Sequence, residues 1–262
     1  MLTRGSSAVA HKGQGRKLEG MRLAGEFVGE ALARLRDTVR PAIETRELDA
    51  AFERMLREGG AESLFRGYRG YPATICTSVN EEVVHGIPGS RRLVEGDLVS
   101  LDVGARLDGY CADAALTVPV GRVTAEAERL LAVGAQALEA AVAQMRPGRR
   151  LRDVSAAIQQ TAEGAGFSVV RQFVGHSIGR QMHEGVQVPN FVDGGSEFQL
   201  DLVLSPGLVL ALEPMVNAGT WEVEILSDGW TVVTKDRRLS VHFEHTVAVT
   251  TRGPEVLTRL PR

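Results

Sequence analysis

Between Lys17 and Val39 apolar residues return every three to four positions: Leu18, Met21, Val28, Leu32, Leu35 and Val39, with Gly25 in step. That period predicts an amphipathic helix that stops before Pro41. A second predicted helix carries Leu48, Phe52 and Met55 on its apolar face, with Thr45 as its N-cap and Gly59-Gly60 as its stop. Residues 72–120 are rich in Val, Ile and Thr and broken by Asn80, Gly86, Pro88, Gly96 and Asp108-Gly109, which reads as short strands and turns. The helical period resumes behind Thr124 with Leu130, Leu131, Val133, Leu138, Val142 and Met145, and ends at Pro147-Gly148. A shorter helix carries Leu151, Val154 and Ile158 and stops near Gly164. Strand texture then runs from Phe167 to Thr250.

Two helices followed by strands thus occur twice. A faint internal repeat supports the pairing: Arg40-Pro41 and Arg146-Pro147 lie 106 residues apart. At the same offset Leu48 meets Val154, Ala50-Ala51 meets Ala156-Ala157, and Phe52 meets Ile158. The expectation is an α+β fold of two similar halves, roughly 17–122 and 123–258, packed around a shared crevice. No linker separates them, so 17–262 is expected to be one structural domain. Residues 1–16 are polar, Gly-rich and mildly basic, and are expected to form a flexible tail. They lack the apolar stretch of a secretory signal.

Composition excludes several classes. Hydrophobic residues make up 44% and charged residues 24%, which suits a soluble globular protein. No apolar run reaches the ~18 residues that a membrane helix needs. With 30 Lys+Arg against 33 Asp+Glu, there is no overall basic field for nucleic acid. Two cysteines, Cys76 and Cys111, rule out a disulfide framework and point to a reducing, cytoplasmic setting.

The candidate chemistry begins with Asp102 and Asp113, which flank the hairpin signal Asp108-Gly109. If those two residues form the turn, Asp102 faces Ala115, Asp113 faces Gly104, and both carboxylates share one face of the sheet. Two carboxylates that close repel unless a cation lies between them or one is protonated. A three-residue turn would undo this parity. His176 lies between Gly175 and Gly179, which suggests close backbone approach, with His183 seven residues on. Gly175–Gly179 also matches the G-x-S-x-G pattern of serine hydrolases, although no helix signal follows Ser177. Glu213 lies in an apolar strand run before Pro214. Glu244 shares a face with His242 and Thr246 if Val241–Val247 is one strand. Four carboxylates and one imidazole in apolar strand contexts are too many charges for one core without metal. Hard oxygen donors with one nitrogen suit Mn, Fe, Co or Zn, and four carboxylates suit two ions.

With these residues in view, the chain resembles the type I methionine aminopeptidases of the pita-bread (creatinase/aminopeptidase-like) fold. The matching stretches are GYRGYPATICTSVNEEVVHGIP (67–88), SLDVGARLDGYCADAALTV (100–118), VGHSIGRQMHEGVQVPN (174–190), ALEPMVNAG (211–219) and DGWTVVTKDRRLSVHFEHTVAVT (228–250). The resemblance spans roughly residues 17–258. It implies a curved antiparallel sheet with helices packed outside it and two divalent ions (Co, Mn, Fe or Zn) held by Asp102, Asp113, His176, Glu213 and Glu244. It implies that Asp113 and Glu244 bridge the ions, with Asp102 on one and His176 and Glu213 on the other. It also implies that His85 and His183 contact the substrate near the scissile amide and that Glu213 assists proton transfer. Phe65, Tyr68, Tyr71, Cys76, Met182 and Trp230 would line a methionine pocket. The implied activity is removal of initiator methionine, when the second residue is small, from a peptide or nascent chain. The implied protein is a monomer with at most transient ribosome contact, no specific nucleic acid and no membrane. Family members often carry His-Gly before the second Asp and Thr after it; here Cys111-Ala112 and Ala114 stand there, so a supporting hydroxyl is expected to be missing. The nearest enzymatic alternatives are the fold relatives that cleave X-Pro bonds or open creatine, whose usual extra N-terminal domain is not expected to fit in 262 residues; the other alternative is a catalytically dead relative of the same fold that only binds peptides or ribosomes. Loss of a metal ligand would favour it, and all five are present.

Overall fold

The computed structural model describes residues 5–192 and 198–261. Its first half runs α1 (Gly5–Thr38), α2 (Thr45–Gly59), β1 (Glu62–Ser63), a 3-10 turn (Tyr68–Gly70), β2 (Ile75–Val79), β3 (Glu82–Val84), β4 (Leu98–Leu107) and β5 (Tyr110–Pro119). The second runs α3 (Ala125–Gln144), α4 (Leu151–Gly164), β6 (Ser168–Val169), β7 (Gly175–Ser177), β8 (Gln187–Val188), β9 (Val209–Leu212) and β10 (Met215–Asn217). It closes with β11 (Val223–Ile225), β12 (Val232–Thr234), β13 (Ser240–His242), β14 (Glu244–Thr250) and β15 (Gly253–Val256). No described helix is long and apolar enough to cross a membrane.

One nine-stranded antiparallel sheet joins the halves in the order β1-β4-β5-β14-β9-β7-β8, with β2 also on β4 and β15 also on β14. Side-chain alternation gives this sheet two different faces. On β4 and β5, Val99, Leu101, Val103, Ala105, Ala112 and Ala114 turn toward Val28, Leu32, Leu35, Leu48 and Phe52 of α1 and α2. In the second half, Leu210, Leu212, Val247 and Val249 pack with Leu130, Leu138, Leu151, Val154 and Ile158 of α3 and α4. The helices therefore cover one face of the curled sheet. The residues between these apolar positions, Asp102 and Asp113 among them, face the other way.

The 106-residue offset has a structural counterpart. Glu44 bridges Arg92, and Arg150 bridges Val203. Gly148 N donates to Leu204 O as Ala42 N donates to Leu93 O. Each shorter helix opens with an acid three residues in that accepts from the cap's own N–H: Glu47 at 2.8 Å from Glu44 N and Asp153 at 2.9 Å from Arg150 N. In each case the acid satisfies a backbone donor that the helix itself leaves free.

Three local expectations need correcting. The N-cap of α2 is Glu44, one residue before Thr45. Thr45 is buried, and its hydroxyl instead donates to Gly89 O and accepts from Gly89 N. Second, α1 begins at Gly5, so residues 5–16 continue the helix that the apolar period marks only from Lys17. No proline interrupts that stretch. Residues 1–4 lie outside the described residues. Third, Val241–Val247 is not one strand: β13 and β14 break at Phe243, whose N–H bonds Pro214 O.

Candidate metal centre

The Asp108-Gly109 hairpin fixes the geometry of the centre. Both turn residues have positive φ, 49° and 78°, as a two-residue hairpin turn requires. The resulting register pairs Asp102 with Ala115 and Gly104 with Asp113. Glu244 of β14 pairs with Ala115, so Cys76, Asp102, Ala115 and Glu244 form one row across β2, β4, β5 and β14. His176 and Thr246 both pair with Ala211, which places a second row alongside. Glu213 follows Ala211 by two residues, on the same face. Five residues scattered over 143 positions of sequence are thus brought onto one wall by strand parity alone.

Burial governs their charge. Asp102, Asp113, His176 and Glu244 are buried. Burial pushes the Asp102 carboxyl up to about 7. Burial, reinforced by neighbouring carboxylates, holds Asp113, Glu213 and Glu244 well above the usual carboxylate range. Burial pulls His176 down to about 3, so its ring is neutral at pH 7. Its Nδ1 lies 3.3 Å from Ser177 O and its Nε2 lies 3.6 Å from Glu213 Oε1. A ring whose Nδ1–H is held by a carbonyl offers Nε2 as a ligand atom.

These residues fit divalent metal. Asp102 Oδ1, Asp113 Oδ1 and Glu244 Oε1 are buried with no hydrogen-bond partner, a costly state that a cation would relieve. Ligand atoms of Asp113, His176 and Glu244 all lie within 4.8 Å of one another. The loss of Thr after Asp113 does not touch the carboxylate. Ala114 faces the α1–α2 core, and the hydroxyl of Thr246 donates to Asp113 O at 2.8 Å and accepts from Asp113 N at 3.0 Å.

The metal-free protein is therefore expected to lose stability as pH rises above about 6.5. The four raised carboxyls keep protons in the folded state that the unfolded chain has released, so their contribution falls with rising pH. His85, His176, His183, His242 and His245 are all lowered from the ordinary 6.5, and their contribution rises with pH. That gain is about half complete at 6.5 and complete roughly one pH unit higher, and the protons held by the four carboxyls outweigh the remainder over this range. Urea unfolding in chelator at pH 6.5 and at about pH 8.5 checks this. Equal or greater stability at the higher pH would contradict it.

Opposite the acids lies a cavity of about 540 Å³, and every residue named above as ligand or substrate contact lines it. Tyr71, Phe65, Cys76 and Met182 are buried. Tyr71 meets Trp230 edge-on at 5.0 Å, and the Tyr71 hydroxyl lies 3.0 Å from both Ile75 O and Gly86 O. His85 adopts φ 60°, an uncommon conformation for a residue with a side chain. It packs edge-on against Phe173 and Trp230. His183 stands at the cavity mouth with its ring 4.2 Å from that of His176, and its Nδ1 lies 3.2 Å from the Tyr68 hydroxyl. When Tyr68 donates to Nδ1, the neutral ring keeps its proton on Nε2.

Two sequence signals meant something else. Gly175 is required by protein backbone: a Cβ there would lie 2.4 Å from Ala211 O. Ser177 sits within β7, its hydroxyl accepting from Val186 N, and no helix follows it, so the nucleophile-elbow geometry is absent. Gln172, Phe173, Gln187 and Arg69 also line the cavity. Arg69 and Gln187 fall inside the matching stretches without a period or chemistry that singles them out, and Gln172 and Phe173 fall just outside them.

Comparison with known proteins follows the same lines. The profile of metallopeptidase family M24 matches residues 19–251. The chain is 46% identical to methionine aminopeptidase 1 of Bacillus subtilis over 94% of its own length and 97% of that protein's. It is 48% identical to the methionine aminopeptidase of Clostridium perfringens, covering 91% and 94% of the two chains. The solved methionine aminopeptidase of Thermotoga maritima superimposes with a TM-score of 0.89 at 41% identity, over 93% of this chain and 97% of that one.

Proposed function

Since the chain belongs to metallopeptidase family M24, among its methionine aminopeptidases, we propose that it removes initiator methionine from peptides and nascent chains whose second residue is small. The observation that carries this reading is a wall of four carboxylates and one neutral imidazole facing a slot of aromatic rings and sulfur. Asp102, Asp113, His176, Glu213 and Glu244 would together hold two divalent ions on that wall. When bound, such ions supply Lewis-acid polarisation of a carbonyl and a water acidic enough to act near neutral pH.

The chain's own residues do the rest. Phe65, Tyr68, Tyr71, Cys76, Met182 and Trp230 receive the methionine side chain. Polarizable contacts between sulfur and rings contribute about 0.3–1.5 kcal/mol each, and none of the six carries a charge that would match Lys or Glu. His183 offers Nε2–H where negative charge develops on the scissile oxygen. His85, held neutral by burial that lowers it to about 4, contacts the scissile amide. Glu213, kept protonatable by burial, passes a proton toward the departing amine. Both cysteines are free, which suits a reducing cytoplasm. The partner is a peptide or nascent-chain N-terminus met by a monomer, with no more than transient ribosome contact.

Selectivity at the second residue is steric. The substrate N-terminus must reach the bottom of the cavity, which brings the next side chain to the rim near His85 and His183. A bulky group there shifts the scissile carbonyl, and a displacement of about 1 Å costs on the order of 100-fold. Met-X-Ser peptides compared by kcat/KM should favour X = Ala over X = Leu by about that factor. Equal rates would contradict the initiator-methionine assignment while leaving a metal-dependent aminopeptidase in place.

A further inference from the structure

We propose that a groove beside the catalytic cavity, carrying Arg106 and Arg180, takes the substrate residues beyond the second and favours an acidic side chain at the third or fourth position. The inference rests on the aminopeptidase reading and extends it. The groove is a space of about 570 Å³ that shares Tyr68, Met182 and His183 with the catalytic cavity. If methionine lies in the first cavity and the scissile amide lies at His183, the chain leaving that bond passes the shared residues into the second space. At about 3.3–3.6 Å per extended residue, one or two further side chains lie within it. The near wall is β1, the terminal strand of the sheet, and an unpaired strand edge suits an extended peptide.

The groove's charge sets the preference. Arg106 projects from β4 between its register neighbours Glu62 on β1 and Cys111 on β5. Its Nε is buried with no hydrogen-bond partner, and although Glu62 also lines the groove, among the described residues no carboxylate forms an ion pair with Arg106. Its guanidinium lies beside the Cys111 thiol and partly offsets the rise in that thiol's pKa that burial causes. The Arg180 guanidinium lies 4.7 Å over the Tyr110 ring and donates to the Tyr110 hydroxyl at 3.1 Å. Glu184 is spent on the Arg180 backbone N–H and on Lys17. Some arginines on other faces are matched by acids, as Arg22 is by Glu255 and Arg152 by Asp201, while others such as Arg129 and Arg146 donate only to backbone carbonyls. Here two guanidiniums held by a strand and a ring keep donors for a carboxylate, the group whose geometry they match. A lysine in the same place meets like charge.

Peptides Met-Ala-Xaa-Ala-Ser and Met-Ala-Ala-Xaa-Ser, with Xaa = Glu, Gln or Lys, test this on the metal-loaded enzyme. At low salt the expected order in one of the two series is Glu over Gln over Lys. The Glu-to-Gln ratio in kcat/KM should be about two- to five-fold, expressed in KM, as for a partly exposed ion pair. Added salt should shrink it. Arg106→Gln and Arg180→Gln should each lower that ratio, and Arg106→Glu should shift it toward Lys. Cleavage of all peptides at rates indifferent to Xaa in both series would overturn the groove assignment alone. A ratio unchanged in all three variants would do the same. Failure to release methionine from any peptide would instead overturn the aminopeptidase reading.

Discussion

Asp113→Asn is expected to abolish methionine release while making the metal-free protein more stable. Asp113 stands in the middle of the acid wall, beside Asp102 and Glu244, and its Oδ1 has no partner of its own. Removing an outer partner of a metal ligand typically costs 10–100-fold in affinity or activity. If Asp113 holds metal as proposed, neutralising it should cost at least about 100-fold in kcat/KM. The same change removes a buried carboxyl that the metal-free fold must keep protonated at a free-energy cost near neutral pH, which relieves that fold. For a chain of this size each kcal/mol gained raises Tm by about 2–4 °C. Thermal unfolding in chelator, with activity measured after metal is restored, checks both halves. A variant that turned over at the wild-type rate, or whose metal-free Tm fell, would contradict the assignment.

His183→Ala is expected to lower kcat by about 10²–10³-fold and to leave KM nearly unchanged. The ring stands at the mouth of the cavity, beside His176 and braced by the Tyr68 hydroxyl. Burial and the nearby Arg69 lower its pKa, so it is a neutral donor at pH 7. A donor aimed at charge that develops only in the transition state acts on kcat, and loss of one such donor commonly costs that factor. Normal kcat with raised KM would make His183 a binding residue only. Circular dichroism of the variant separates either result from a failure to fold.

The centre was legible in the sequence because strand parity is a local rule. Once Asp108-Gly109 is read as a two-residue turn, the faces of Asp102 and Asp113 follow, and β4 and β5 have that register. The N-cap of α3 is equally local: Thr124 stands just ahead of the resumed apolar period, and its hydroxyl accepts from Ala127 N. Legibility failed where the deciding contact lies far along the chain. Gly175 answers to Ala211 O, Thr45 to Gly89, and the break at Phe243 to Pro214 O. Phe173 and Gln187 enter the cavity because the halves close around it, and no hydropathy period encodes that closure. The start of α1 was missed for the opposite reason. Its first turns make no apolar stripe, and periodicity reports only helices that bury one.

Methionine release from Met-Ala-Ser by chelator-treated protein, followed as Mn or Co is added back, tests the metal-dependent account most directly. The wall of Asp102, Asp113, His176, Glu213 and Glu244 predicts no turnover in chelator and full recovery on metal addition, with up to two ions bound per chain by elemental analysis. Turnover by the metal-free protein at the untreated rate would contradict it.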